Sequence, residues 1–131
     1  MAKKILIVED VEDSRAILVL MLQKYCGYET CEAATGLEAV EKAVAEKPDL
    51  IVMDLGLPDI SGVEAAITLK ANPMTAGIPI VAHTAWHVDQ WGDKVRSAGM
   101  ADYLQKPVSI RVMKEAIEKL LPRLPACSYG C

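Results

Sequence analysis

The sequence predicts a doubly wound α/β sandwich built on one core. Short apolar runs alternate with stretches of helical period along the whole chain, the pattern of a parallel sheet joined by crossover helices. Helix-start signals recur after these runs, at Thr35 with Glu38, at Ser61 with Glu64, and at Ser109. A length of 131 residues with 52% apolar content suits a single domain.

The elements follow in order. Lys4 to Val8, "KILIV", reads as a first strand, after which Asp13 is placed to cap a helix running to about Tyr25, with Ile17, Leu20, Met21 and Lys24 at helical spacing. Gly27 ends it. A second strand lies around Glu29 to Ala33, and Thr35 with Glu38 forms a capping box for a helix to about Glu46, with Leu37, Val40 and Val44 as its inner stripe. Leu50 to Asp54 is the third strand. Ser61 and Glu64 open a helix carrying Val63, Ile67 and Leu69, which Pro73 stops. Ile78 to Thr84 is the fourth strand, followed by a helix from about Val88 to Ser97 that ends at Gly99. Ala101 to Gln105 is the fifth, and Ser109 caps a last helix through Leu121 with Val112, Met113, Ala116, Ile117 and Leu120 as its apolar positions. Five strands with right-handed crossovers on both faces fit the flavodoxin-like order 2-1-3-4-5.

Composition excludes several function classes. A formal charge of −4, with 14 Lys and Arg scattered along the chain, gives no basic field for direct nucleic-acid binding. No apolar run approaches the roughly 20 residues needed to span a bilayer, and "MAKKILIVED" lacks the features of a signal peptide, so no membrane insertion and a cytoplasmic location are expected. Cys26, Cys31, Cys127 and Cys131 are expected to be reduced thiols, and Cys127 and Cys131 lack a second pair at zinc-site spacing.

In an open parallel sheet the ligand crevice lies beyond the carboxyl ends of the strands. There the sequence sets Glu9 and Asp10 after strand one, Asp54 at the end of strand three, Thr84 at the end of strand four, and Gln105, Lys106 and Pro107 at the end of strand five. Strands one and three are neighbours in this order, so three carboxylates converge. Two like charges 4 Å apart repel by about 4 kcal/mol at an effective dielectric near 20, which calls for compensating cations. Lys106 supplies one charge, and an all-oxygen site suits Mg²⁺ better than zinc or copper. An aspartate in such a site can act as a nucleophile toward phosphorus. Asp10 and Asp54 would hold Mg²⁺, with Glu9 acting through water; Lys106 would pair with a phosphoryl oxygen, and the Thr84 hydroxyl or a backbone N–H would hold another.

The residues "VED" at 8 to 10, "MDLGLPDISG" at 53 to 62, "HTA" at 83 to 85 and "YLQKP" at 103 to 107 closely resemble the receiver domain of two-component response regulators, over residues 4 to about 121. The resemblance implies that Asp54 is the phosphoacceptor, Glu9 and Asp10 the acidic pair, Thr84 the switch hydroxyl, Tyr103 the switch aromatic and Lys106 the phosphate-binding lysine. It implies Mg²⁺ as cofactor, with Glu9, Asp10, Asp54 and the backbone carbonyl of Gly56 as metal ligands, and a cis peptide at Lys106-Pro107. The implied partners are a sensor histidine kinase or histidine phosphotransfer protein and a downstream protein target that reads the face of helix four, strand five and helix five. The implied organisation is a receiver over 1–121 and a short tail over 122–131, in a stand-alone switch and not an enzyme.

This sequence departs from the commonest pattern at a few positions. Val11 follows the acid pair where many relatives carry Asn. Gly56 and Trp86 occupy places that in this family influence how water reaches the phosphoryl group. His83 reads as a neutral core histidine, and Trp86 and Trp91 read equally as partner anchors or as partly buried packing. Two rival readings stay open: a receiver that binds partners without being phosphorylated, and a Mg²⁺-dependent phosphatase or transferase with Asp54 as nucleophile.

Overall fold

The structure, a computed structural model, describes residues 3–121; the tail at 122–131, with Cys127 and Cys131, lies outside the described residues. Five strands, β1 (Lys4–Val8), β2 (Glu29–Ala33), β3 (Leu50–Met53), β4 (Ile80–Thr84) and β5 (Asp102–Gln105), alternate with five helices. The helices are α1 (Glu12–Cys26), α2 (Gly36–Glu46), α3 (Gly62–Ala71), α4 (Val88–Ser97) and α5 (Ile110–Leu120). All strand pairs are parallel, in the order β2-β1-β3-β4-β5, as the sequence predicts.

Because side chains alternate across a strand, the sheet divides the core in two. Leu6, Val8, Ile51, Met53, Ile80 and Ala82 face α2, α3 and α4, packing on Ala39, Ala43, Ala65, Ala66, Leu69 and Val95. Ile5, Ile7, Leu50, Val52 and Val81 face α1 and α5, packing on Leu18, Leu22, Met113, Ala116 and Ile117. Each fully buried Leu or Ile contributes about 1.5–3 kcal/mol relative to exposure, so the central strands are fixed from both faces.

Helix ends follow the predicted chemistry with two exceptions. Ser61 and Glu64 form a reciprocal capping box, Ser109 accepts from the Val112 N–H, and Gly27 adopts φ 74°, the left-handed conformation that closes α1. Thr35 accepts from the Glu38 N–H, while the Glu38 carboxylate accepts from Ala34, one residue before the cap. The capping box predicted at Thr35 and Glu38 is thus only half formed, and the cap predicted at Asp13 is not made. The helix begins at Glu12 with Val11 as its N-cap and no side-chain bond there, and Asp13 sits within the first turn, where its charge favours the helix dipole.

The buried faces of three helices also differ from expectation. On α1 the core residues are Leu18 and Leu22, whereas Ile17 and Leu20 are more than half exposed. The middle of this helix, Ala16 to Leu22, is an unbroken apolar run, so periodicity does not select a face there. On α2 and α3 the alanines lie against the sheet, and Leu37 and Ile67 point outward. Small side chains let these helices approach closely, and the larger residues fall at the margins. On α5, Met113, Ala116 and Ile117 are buried as expected, while Val112 is 41% exposed.

Candidate functional site

β3 ends one residue earlier than predicted, so Asp54 stands just past the last ladder position, with its backbone N–H donating to the Val8 carbonyl at 3.0 Å. β1 pairs with β3 in a register that sets Val8 beside Met53. The next residues, Glu9 and Asp10, therefore meet Asp54 across the top of the sheet. Oxygen atoms of Glu9, Asp10 and Asp54 all lie within 4.8 Å of one another. The backbone here has no slack, since a Cβ at Gly62 would collide with the Asp54 carbonyl oxygen.

Lys106 reaches this cluster from the end of β5. Its ammonium lies 2.5 Å from Glu9 Oε1 and 3.1 Å from Asp54 Oδ2. Glu9 is nearly fully buried, and its other oxygen accepts from the Val11 N–H. Burial pushes the Glu9 carboxyl up, and the bonds from Lys106 and Val11 pull it back. Burial lowers Lys106, but the Glu9 hydrogen bond and the Asp54 charge outweigh it, so the ammonium is held above its ordinary value. Lys106 precedes Pro107 through a cis peptide bond, as expected.

Three carboxylates against one ammonium leave a formal charge of −2, and the donors are all oxygen. That set fits a hard divalent cation such as Mg²⁺. Asp10 is exposed and open to such an ion, whereas both Glu9 oxygens are already bonded, in keeping with an indirect role for Glu9. The Gly56 N–H donates to Asp54 Oδ1 at 3.2 Å, which folds the start of the β3–α3 loop over the carboxylate.

Thr84 is fully buried at the end of β4, and its hydroxyl accepts from the Trp86 N–H at 3.2 Å. The Tyr103 hydroxyl donates to the Trp86 carbonyl at 2.6 Å. Trp86 thus links the β4 end to β5 through its backbone. Its indole stacks on Trp91 with ring centroids 4.5 Å apart, and the Lys94 ammonium lies over Trp91. Both tryptophans pack partly buried on the core, which favours the packing role of the two considered.

His83 is largely buried one residue before Thr84. Burial, with the nearby Lys106 charge, lowers it to about 4, against a smaller upward pull from Asp54, so it is neutral at physiological pH as predicted. Beside the cluster a cleft of about 290 Å³ is lined by Glu9, His83 and Lys106 together with Ile17, Met21 and Val108.

Asp59 belongs to this neighbourhood and carries no signal in the sequence. Its carboxylate accepts from the Gly36 N–H at 2.8 Å and the Leu37 N–H at 2.9 Å, at the N-terminus of α2. Only the folded loop brings residues 22 and 23 positions apart together.

The chain matches the response regulator receiver domain family over residues 5–118. It belongs to that family. This receiver is 36% identical over 121 residues to the polar-differentiation response regulator DivK of Brucella anthropi, an alignment covering 92% of this chain and 98% of that protein. Among solved structures, the receiver domain of a sensor histidine kinase from Pseudomonas aeruginosa, with a magnesium ion coordinated in its active site cleft, aligns with a TM-score of 0.86 at 29% identity over 94% of this chain and 100% of that one. A CheY-like response regulator receiver domain protein from Methanospirillum hungatei aligns with a TM-score of 0.81 at 30% identity, over 92% and 94% of the two chains. Receivers are switches of two-component signalling that work through protein partners, not classical enzymes. No helix among the described residues is long and apolar enough to cross a membrane.

Proposed function

We propose that this receiver takes a phosphoryl group from a phosphohistidine onto Asp54. The observation that carries the reading is the convergence of Lys106 on Asp54 and Glu9 beside Asp10. In the transfer, an Asp54 oxygen bonds to phosphorus as the bond from phosphorus to the donor imidazole nitrogen breaks. The electron pair stays on that nitrogen, which takes a proton from solvent.

Glu9, Asp10 and Asp54, with the Gly56 carbonyl, would hold Mg²⁺. When bound, the ion neutralises charge on the acceptor carboxylate and on the phosphoryl oxygens. The chain's own residues do the rest. Lys106 pairs with one phosphoryl oxygen, and the Thr84 hydroxyl turns from the Trp86 N–H toward another. Lys106 already stands at the Asp54 carboxylate, so its charge is in place as charge develops there.

Thr84 leaving the Trp86 N–H alters the segment that also accepts the Tyr103 hydroxyl bond, and this carries the change to α4, β5 and α5. That face is the output surface in this reading, with a sensor histidine kinase or histidine phosphotransfer protein as donor and a downstream protein as target. Residues 1–121 form the receiver, 122–131 are a tail, and the chain acts in the cytoplasm. Incubation with a small phosphodonor and Mg²⁺ tests the reading by intact mass. It predicts the gain of one phosphoryl group per chain; sustained turnover of unrelated phosphoesters would contradict it.

A further inference from the structure

The β3–α3 loop, residues 54–61, is held at both ends. At the inner end, Asp54 donates its N–H to Val8 and the Gly62 N–H donates to the Leu55 carbonyl at 2.9 Å. At the outer end, the Asp59 carboxylate spans two N–H groups of α2, and the Ile60 side chain sits on Gly36, where a Cβ would collide with it. Gly56 lies between these two anchors.

Resting on the reading above, in which Gly56 and Asp54 face Mg²⁺, we propose that Asp59 is a positioning residue for the metal site: by pinning the outer half of this loop to α2 it holds the Gly56 carbonyl and the Asp54 carboxylate in one arrangement. A loop already fixed loses little conformational freedom when the ion binds, whereas a loop released at Asp59 must be ordered at that moment. The tether also suits its place. Its carboxylate meets unpaired N–H groups at the positive end of a helix, and these bonds, the one from Leu37 first, lower the group to about 2, so it stays charged at any physiological pH.

The test uses the full chain and MgCl₂ by isothermal titration calorimetry, together with amide resonances of Gly36 and Leu37. For Asp59→Ala, Mg²⁺ affinity falls about tenfold, the cost of fixing roughly one released loop residue when the ion binds. In the parent, the Gly36 and Leu37 amide signals shift as Mg²⁺ is added, and in Asp59→Ala they no longer respond. Asp59→Asn keeps an acceptor oxygen and falls between the two, and it carries the test if Asp59→Ala does not fold. A variant with a lowered melting temperature but the parent's Mg²⁺ affinity overturns the proposal, since that outcome describes a merely structural cap. If the parent itself binds no Mg²⁺, this proposal and the metal reading fall together; parent binding with unchanged variants removes this proposal alone.

Discussion

The indole of Trp86 occupies the space above Gly56 that a side chain would enter: a Cβ there would lie 3.1 Å from Trp86 Cζ2 and 3.4 Å from Nε1. Glycine at 56 and tryptophan at 86 therefore form one packed unit beside Asp54. If Asp54 carries the phosphoryl group as proposed, a ring in that place would obstruct water approaching it. Trp86→Ala is predicted to shorten the phosphoryl lifetime by roughly threefold or more, since water exclusion protects reactive intermediates. Decay of the phosphorylated form by intact mass after removal of the donor measures it.

Lys106 is the cation among three carboxylates, so its loss should separate metal binding from phosphoryl transfer. Lys106→Ala deepens the negative charge and removes a competitor for Glu9 and Asp54. Mg²⁺ affinity should hold or tighten, while phosphorylation slows roughly a hundredfold, the scale for losing one stabiliser of developing charge. Calorimetry with MgCl₂ and initial rates of phosphoryl uptake give the two halves. Parallel loss of both would contradict the assignment.

His83 gives a pH dependence with a definite sign. Its folded value is lowered to about 4 by burial and the Lys106 charge, below an ordinary value of 6.5. A depressed value means that the unfolded chain takes up the proton first. The stability due to neutral His83 is therefore complete above pH 6.5 and is lost as pH falls toward 4. At pH 4.5 the loss is about 2 kcal/mol for a shift of this size. Urea unfolding at pH 7 and pH 4.5 should show a smaller difference for His83→Gln than for the parent.

Much of this was legible in the sequence because strand ends are read in one dimension. Asp54, Thr84 and Lys106 each close or follow an apolar run, and strand order alone brings them to one edge of the sheet. Helix faces were less legible. Ile17 and Leu20 look like core residues in the unbroken apolar run of α1, and alanines such as Ala39 and Ala65 pack tightly without standing out in a hydrophobic pattern. Asp59 was illegible because its partners, Gly36 and Leu37, are backbone groups from a distant segment. The sequence sets Gly56 and Trp86 at places that bear on water access, but their direct packing is a property of the fold.

Asp54 is the proposed phosphoacceptor of a switch assembled from Glu9, Asp10, Thr84 and Lys106. The most direct measurement compares phosphoryl uptake by the parent chain and by Asp54→Asn, with the same small phosphodonor and Mg²⁺, by intact mass. Asn at this position keeps the shape and removes the nucleophilic carboxylate. With Asp54 as acceptor, the parent gains one phosphoryl group and Asp54→Asn gains none; equal uptake by both, or none by the parent, rules that role out.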